Sequence, residues 1–556
     1  MLVTATSAGA CGGTLVISQR AEPATFNPLT ASDTNSRDII GLLNADLIHI
    51  NRYTQVPELA LAKSFEVSPD RRRYTVHLRR GIRFSDGYPF DAEDVLFTFQ
   101  AYLDKRTNSS QRDLLIISGT PISVEKLDRY TVLFTLAKPY AAAERLFDSI
   151  AMLPRHLLQP TFNSGELSKA WGLNTAPRQM AGLGPFQLKR YMPGQSIELE
   201  RNPNYWKRDA QGNRLPYLDG IESIFVANAD AEAIRFEAGE TSVISRLNAA
   251  DYGLLEKEQQ RKRFRLYDLG PSLQYDFVVF NLNELEPQGH SSIIAKQLWF
   301  RQLAFRQAIS SAIDRDGIVR LAFRGRACPI SVQVTAGNKL WLDANIPPPL
   351  HSLVRAREIL KHARFSWTKD GVLSDSGGNP VKFALMYNGR NTEQAQIATI
   401  AQQDLKELGI EVNLIPLEFH SLLDRIFTTF NYEAAIMALA DDDADPNSEI
   451  NVLRSNGSAH VWRLRSHVED AWQQEVDRLM EAQLSAVTYA ERRRMFDRVQ
   501  ELIAENMPVI FLISPNILVG AKEEIGNFKP AILRNYTLWN ADELFFRVRQ
   551  KPTEHR

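Results

Sequence analysis

The sequence has 556 residues, 44% of them hydrophobic and 24% charged, which is the composition of a globular protein with more than one folding unit. Its 65 basic and 66 acidic residues almost cancel, so no global field attracts nucleic acid or an anionic membrane. The two cysteines, Cys11 and Cys328, exclude a disulfide scaffold and a zinc site built mainly on thiolates.

The first half of the chain reads as short strands with occasional helices. A β-rich run begins near residue 13, and one helix is predicted from four apolar residues on one face: Ile39, Leu42, Leu43 and Leu47. Tyr74, Val76 and Leu78 alternate with polar residues, as in a half-buried strand. Asp91 is placed to cap the next helix, and the stretch "MPGQSIELE" predicts a hairpin.

Beyond about residue 270 the pattern changes to strands that alternate with helices. "QYDFVVFNLN" predicts a buried strand, and "LAFRQAISSAIDRDGIVRLAF" predicts one long helix. Strand, helix, strand, helix and strand then follow up to "EAAIMAL", and a capping box from Thr488 to Glu491 opens the last helix. This alternation is typical of an α/β fold.

The loop "LADDDADPNSE", residues 439–449, concentrates four aspartates and a glutamate directly after a predicted strand. An EF-hand calcium loop is excluded, because its sixth and twelfth positions would be Pro446 and Val452 instead of glycine and glutamate. A solvated turn and the floor of a pocket that receives a cation both remain open. Because ligands of open α/β sheets bind outside the carboxyl ends of the strands, the position favours a functional loop.

Signatures of catalysis are absent from the sequence. It contains no HExxH pair, no G-x-S-x-G elbow, no Walker loop and no GxGxxG after a strand. No histidine lies near Cys328 in the sequence to activate it. We therefore expect neither an enzyme nor a bound cofactor or metal.

Six segments, in this order, resemble a known family: "EPATFNPL", "PELALAKSFEVSPDRRRYTVHLRRGIRFSDGYPFDAEDVLFTF", "GLGPFQLKRYMPGQSIELERNPNYWK", "LPYLDGI", "VVFNLN" and "RQAISSAIDRDGIV". Together they are similar to the family 5 extracellular solute-binding proteins of bacterial ABC importers. The resemblance implies an α/β fold of the type II periplasmic-binding-protein kind, a "Venus flytrap" whose two lobes close over a ligand. It covers about residues 13–550.

The resemblance also implies a division of the chain. Residues 1–12 are expected to be a tail and a possible remnant of a signal peptide. The first lobe is expected to contain residues 13–269 and 515–556, with an inserted subdomain at 48–182, and the second lobe residues 270–514.

Candidate ligand residues come from the same resemblance. Dipeptide-binding members have a segment like W-x-x-D-x-x-D-P, in which the first Asp pairs with the ligand's α-ammonium group. Asp445 and Pro446 match the final D-P, so Asp442 matches the ammonium-binding Asp, and Leu439 replaces the Trp. Ala440, Asp441 and Asp445 complete the candidate loop. Ser32 matches a ligand-contacting hydroxyl, and Arg390 lies near the position of an arginine that binds a carboxylate.

The function expected from the resemblance is capture of a peptide or peptide-like solute outside the cytoplasmic membrane and its delivery to an ABC permease. The protein is expected to act as a monomer, without nucleic acid, in the periplasm or at the outer face of the membrane, with Cys11 as a possible site of lipid attachment. The alternatives are a non-peptide ligand (a nickel chelate, an oligosaccharide, an opine or haem), a ligand-sensing regulator module, or a hydrolase. The acid-rich loop further predicts a preference for ligands with net positive charge.

Overall fold

The structure is a computed structural model that describes residues 12–109, 111–117, 119–148, 150–441, 443–464, 470–486 and 488–547. The chain divides into two compact units: the first runs up to Tyr267 and resumes at Leu518, and the second spans Asp268–Ile517. Within the described residues, no helix combines the length and the apolar character that crossing a membrane requires. The predicted α/β class is confirmed by the mixture of sheets and helices described below.

The strands, in chain order, are β1 (Thr14–Gln19), β2 (Ile48–Ile50), β3 (Pro57–Leu59), β4 (Ala62–Val67), β5 (Arg73–Leu78), β6 (Ile116–Ile117), β7 (Thr120–Pro121), β8 (Ser123–Asp128), β9 (Thr131–Thr135), β10 (Phe186–Met192), β11 (Ser196–Arg201), β12 (Gly220–Phe225), β13 (Val243–Ile244), β14 (Phe264–Pro271), β15 (Gln274–Phe280), β16 (Ala327–Pro329), β17 (Ser366–Trp367), β18 (Leu373–Ser374), β19 (Lys382–Asn388), β20 (Glu411–Leu417), β21 (Ala434–Ala440), β22 (Ile510–Lys522), β23 (Ile525–Gly526) and β24 (Phe545–Phe546).

The helices are α1 (Thr34–Leu43), α2 (Ala92–Leu103), α3 (Arg155–Asn163), α4 (Ala229–Ala238), α5 (Ala249–Leu255), α6 (Gln259–Lys262), α7 (Pro287–Phe300), α8 (Leu303–Ala312), α9 (Arg315–Leu321), α10 (Leu353–His362), α11 (Thr392–Glu407), α12 (Phe419–Leu423), α13 (Ile450–Leu453), α14 (Ala471–Ser485) and α15 (Tyr489–Asn506).

The first unit contains two separate four-stranded sheets. One has the order β1-β12-β11-β10, with β1 parallel to β12 and the other neighbours antiparallel. The other, β4-β5-β9-β8, is antiparallel and lies within the range that the sequence assigns to an inserted subdomain. The predicted alternation in β5 is confirmed, since Tyr74, Val76 and Leu78 are each under 5% exposed.

The second unit is built on a mixed sheet in which β22, β15, β21, β19 and β20 lie side by side in that order. β15 is antiparallel to both of its neighbours, whereas β21, β19 and β20 are parallel to one another. Phe280, on β15, belongs to the hydrophobic core of this unit and packs against Phe300, Phe305 and Phe383. The carboxyl ends of the three parallel strands therefore share one edge of the sheet.

Two predicted helices end earlier in the structure than the sequence pattern indicates. The stretch predicted as one helix from Leu303 divides into α8 and α9, since the Asp314 side chain accepts a hydrogen bond from the backbone N–H of Gly317 and starts a new helix. Helix α1 ends at Leu43, and Leu47 precedes β2 outside any helix, although it is fully buried as predicted.

Candidate functional site

Four residues that the resemblance assigned to the ligand lie at the same edge of the sheet in the second unit. Leu439 and Ala440 are the last two residues of β21, and Asp441 follows them. Arg390 lies just beyond the end of β19, which is parallel to β21 with Leu385 and Met386 opposite its first two residues. Arg390 is exposed, and its backbone N–H donates to Asn388 Oδ1 at 3.1 Å.

Leu439 is half-buried and contributes to the interior of the second unit. It lies opposite Tyr275 in the antiparallel pair of β21 and β15, so the two side chains share one face of the sheet. Its side chain packs against the hydrophobic core. A leucine in place of the family's tryptophan therefore has a packing role on this face of the strand.

Asp441 belongs to a cluster with Glu449 and Tyr275. Glu449 is 2% exposed, and the Tyr275 hydroxyl donates to its Oε2 at 3.3 Å. Burial raises the pKa of Glu449, whereas hydrogen bonds with Asp441 and then with Tyr275 lower it by less. A hydrogen bond between two carboxyl groups requires a proton on one of them. The contact between Asp441 and Glu449 therefore holds Asp441 against a buried acid of the same loop.

Asp445 forms a buried ion pair with Arg492 of α15. The two side chains are 4% and 8% exposed, and the contacts are bidentate, with Nη2 2.7 Å from Oδ1 and Nη1 2.9 Å from Oδ2. Arg492 also donates to Gln483 Oε1 and lies over the Trp341 ring at 4.9 Å. Asp445 Oδ1 additionally accepts from the Asn447 backbone N–H at 3.0 Å. The carboxylate thus fixes the loop against the helix.

The two remaining acids of the loop are Asp443 and Asp442. Asp443 is half-buried, and its Oδ1 accepts a hydrogen bond from the Ala444 backbone N–H at 2.7 Å. Asp442, the matched ammonium-binding residue, lies outside the described residues, as does Cys11. The described part of the loop is therefore held by hydrogen bonds of its acids and by one ion pair, in which Arg492 compensates the charge of Asp445.

Ser32 belongs to the first unit and lies in the segment before α1. It is exposed, next to Asp33, whose Oδ1 accepts a hydrogen bond from the Ser36 backbone N–H at 2.8 Å. The segment before it is fixed by Asn27, whose side-chain N–H donates to the carbonyl of Leu167 at 2.8 Å. These contacts present the Ser32 side chain from an ordered turn.

Sequence reasoning missed three charged residues of the second unit. Glu449 was counted in the loop without a role, and Arg492 was not identified as a candidate. Asp276 lies on β15, is 3% exposed and accepts from Gln274 Nε2 at 3.0 Å. Burial raises its pKa to about 7, although the hydrogen bond from Gln274 lowers it. An aspartate in the buried run "QYDFVVF" was the signal that could have identified it.

One group in the described part of the chain has the residue types of a metal site. Ligand atoms of Asp46, His49 and Asp148, in the first unit, lie within 4.8 Å of one another. Arg52 Nη2 lies 3.0 Å from Asp148 Oδ2, so a guanidinium already supplies positive charge there. We therefore interpret the group as an ion-pair network in place of a metal centre.

The chain is similar to proteins of bacterial ABC transporters. The family described as "Bacterial extracellular solute-binding proteins, family 5 Middle" matches residues 56–460. A "Probable ABC transporter-binding protein" of Deinococcus radiodurans is 26% identical over 530 residues, which is 91% of this chain and 87% of the relative. "Oligopeptide-binding protein AppA" of Bacillus subtilis is 27% identical over 531 residues, or 93% of this chain and 89% of the relative.

A solved structure agrees with these relatives. The oligopeptide-binding protein AppA from Bacillus subtilis, in complex with a nonapeptide, is similar with a TM-score of 0.74 and 25% sequence identity. The similarity covers 97% of this chain and 100% of that chain. The periplasmic-binding-protein kind of fold predicted from the resemblance is confirmed by this similarity.

Proposed function

Since the chain belongs to family 5 of the bacterial extracellular solute-binding proteins, we propose that it captures a small peptide or peptide-like solute outside the cytoplasmic membrane and delivers it to an ABC permease. The relatives that support the peptide class are the oligopeptide-binding protein of Bacillus subtilis and its complex with a nonapeptide. Binding and release perform this function, and no covalent step on the ligand is needed. The protein would act as a monomer before it meets the permease.

The observation that carries the proposal is the position of the acidic loop. The loop begins at Asp441, directly after the end of β21 and at the edge where β19 also ends, and ligands of α/β sheets bind outside such ends. The ion pair of Asp445 with Arg492 fixes this loop from behind. A loop held from the interior can present its other groups to a ligand with little loss of conformational entropy on binding.

Within this loop we assign the ammonium group of the peptide to Asp442. The assignment follows the match of Asp445-Pro446 to the family's D-P segment, and the contacts of its neighbours support it. Asp445 is already neutralised by Arg492, and Asp441 is hydrogen-bonded to the buried Glu449. A carboxylate opposite an ammonium group fixes the polarity of the ligand, because reversing the peptide would leave both charges unpaired.

Arg390 and Ser32 complete the proposed contacts. Arg390 is exposed at the same sheet edge as Ala440, and a guanidinium fork suits the carboxylate of a peptide. Ser32 offers an exposed hydroxyl in the first unit. Among the residues that the resemblance assigned to the ligand, Asp445 and Leu439 are proposed to make no direct ligand contact. Asp445 holds the loop against α15, and Leu439 packs against the hydrophobic core beneath it.

We propose that the protein is located outside the cytoplasmic membrane, as its family is, and that a lipid on Cys11 attaches it to the membrane. Family 5 proteins are extracellular, and attachment to the membrane through a lipid on Cys11 remains a prediction from the sequence. Mass spectrometry of the N-terminal peptide from a host that processes lipoproteins tests it. A diacylglyceryl group on Cys11, lost in Cys11→Ser, is expected; an unmodified thiol would contradict the anchor.

The experiment that tests the function begins with the ligand. Native mass spectrometry of protein purified from a peptide-containing medium is expected to show masses of short peptides, which disappear after unfolding and refolding. Calorimetry of the stripped protein with alanine di-, tri- and tetrapeptides is then expected to show saturable binding. If none of these peptides binds while a nickel–histidine chelate or an oligosaccharide does, the peptide assignment is wrong and only the family assignment stands.

A further inference from the structure

A cavity of about 300 Å³ opens within the second unit, away from the acidic loop. Leu282, which lines it, follows the end of β15, where Phe280 pairs with Ala434 at the start of β21. At the other end of the same pair, Gln274 lies opposite Ala440. The cavity therefore lies at the sheet edge opposite to the proposed peptide contacts, and its volume is that of a small-molecule site.

Positive charge dominates the lining among the described residues. Three arginines, Arg301, Arg306 and Arg463, and one acid, Asp470, line the cavity, and the charge of Glu284 also acts on Arg301. Arg463 Nη1 lies 2.7 Å from Asp470 Oδ2. Arg306 donates to the carbonyls of Phe300, Asn506 and Met507, which are neutral and leave its positive charge uncompensated. Burial lowers the pKa of Arg301, and the positive charge of Arg463 lowers it further, so the guanidinium groups are close enough to repel one another. An anion in the cavity would relieve that repulsion.

The first turn of α14 adds to this field. Asp470 occupies the N-cap position of this helix but makes no side-chain capping bond within residues 470–486, because its carboxylate contacts Arg463. Trp472 and Gln473 of this turn line the cavity. The partial positive charge of the helix terminus therefore lies beside the arginines.

Two buried polar atoms at the cavity have no hydrogen-bond partner among the described residues: Trp462 Nε1 and Gln473 Oε1. Their residues are 3% and 6% exposed. The Gln473 amide N–H donates to the Leu453 carbonyl at 2.8 Å and to Asp477 at 3.0 Å, which fixes its oxygen as the unpaired acceptor. A buried polar atom without a partner is unfavourable, so a bound group that pairs with both atoms would be favoured.

His460 adds a second acceptor to the lining. Burial lowers its pKa to about 4, so the ring is neutral at physiological pH. Its Nδ1 lies 2.9 Å from the Val452 carbonyl and donates to it, which leaves Nε2 with a lone pair. The cavity thus combines excess positive charge and one unpaired donor with acceptors that require a hydroxyl or similar donor on the ligand.

We propose that this cavity binds a small hydroxycarboxylate, a compound that carries a carboxylate and a neighbouring hydroxyl group. The carboxylate would accept from Trp462 Nε1 and balance the arginines, and the hydroxyl would donate to Gln473 Oε1. The indoles of Trp462 and Trp472 would cover the carbon skeleton. This site is independent of the peptide function proposed above.

Calorimetry with malate and succinate at constant ionic strength tests the proposal, because the two dicarboxylates differ by one hydroxyl. Malate is expected to bind saturably, at least about fivefold more tightly than succinate. Arg463→Gln should weaken both by about tenfold, and Gln473→Leu should remove the preference for malate. Arg301→Gln, at an exposed position, provides a second charge variant if Arg463→Gln fails to fold.

Several outcomes would overturn the site. They are no saturable binding of malate below about 10 mM, equal affinities for malate and succinate in the wild type, inorganic phosphate as the only anion bound, or affinities unchanged in folded arginine variants. Asp442→Asn separates the two proposals, since it should weaken peptides and leave malate unaffected. Loss of malate binding in that variant would mean that the anion occupies the peptide site, contrary to the inference.

Discussion

Asp445 and Arg492 form a bidentate ion pair in the interior of the second unit, with contacts of 2.7 and 2.9 Å. The pair joins the acidic loop to α15 and neutralises one of the loop's aspartates. A buried pair of this kind stabilises little over an apolar alternative, but removal of one partner leaves an uncompensated buried charge. Its role here is to fix the position of residues 443–449 against α15.

Arg492→Ala is therefore expected to lower the free energy of unfolding by about 3–5 kcal/mol, because the Asp445 carboxylate would stay buried without a counter-charge. Urea denaturation followed by circular dichroism measures the change. Arg494→Ala is the matched control, since Arg494 lies on the same helix but is exposed, and it should change stability by less than about 0.5 kcal/mol. Equal effects of the two substitutions would contradict a structural role for Arg492.

The contrast between Arg492 and its neighbours shows where sequence reasoning stops. The capping box at Thr488 is a local signal, and it correctly predicted where α15 begins. Burial of Arg492 depends on Asp445, 47 residues away, which no local pattern contains. In retrospect the helical spacing offered a hint, because Arg492 lies one turn before the buried Phe496 on the same face.

Helices and strands with a clear hydrophobic periodicity were predicted well, but the residues at which they begin and end were predicted less well. The alternation in β5 and the hairpin of β10 and β11 follow from residues that are close in sequence. Asp314 was read as part of a helix although its side chain begins a new one, since capping and interior positions compete for the same residue type. The contacts of Glu449 with Tyr275 and of Asp445 with Arg492 could not be predicted, because the partners lie in distant segments of the sequence.

Asp442→Asn is expected to weaken peptide binding by two or more orders of magnitude, which is about 3 kcal/mol at 1.4 kcal/mol per decade. The physical reason is the loss of the only charge opposite the ligand's ammonium group. Calorimetry with the tightest alanine peptide measures it. Asp443→Asn, a neighbouring acid with its own backbone contact, should change the affinity by less than about threefold. A large loss from Asp443→Asn with none from Asp442→Asn would reassign the anchor.

The extra acids of the loop are not expected to select basic ligands. Since Asp445 is neutralised by Arg492 and Asp441 is hydrogen-bonded to the buried Glu449, these acids are engaged within the protein and offer less negative charge to a ligand than the sequence suggests. Peptides of alanine, lysine and arginine of equal length should therefore bind within about fivefold of one another. If the basic peptides bind more than about a hundredfold better, the acids of the loop select positively charged ligands, as the sequence predicts.

His49→Gln should destabilise the protein in a pH-dependent way. Burial lowers the pKa of His49, but Asp46 and then Asp148 outweigh this effect, and the net pKa lies above the ordinary 6.5. A histidine with a raised pKa contributes stability below pH 6.5, and that contribution is lost as the pH rises through the folded-state value. The variant should thus be less stable than the wild type at pH 6, with a smaller difference at pH 9. The exposed His420 is the control position. A difference that grows with pH would contradict the ion-pair network.

Asp276→Asn is expected to change how stability depends on pH. Burial raises the pKa of Asp276 from 3.8 to about 7, so the folded protein holds this proton where the unfolded chain has released it. The wild type should therefore lose stability as the pH rises from about 4 to about 7, at up to about 1.4 kcal/mol per pH unit from this group. Asparagine keeps the size and the hydrogen bond from Gln274 but cannot ionise, so the stability of the variant should rise relative to the wild type across this pH window.

Urea denaturation at pH 4.5, 6 and 7.5 measures the difference in the free energy of unfolding, with the exposed Asp370→Asn as the control. A difference that is constant with pH would mean that Asp276 is ionised inside the sheet and stabilised by contacts other than the one from Gln274.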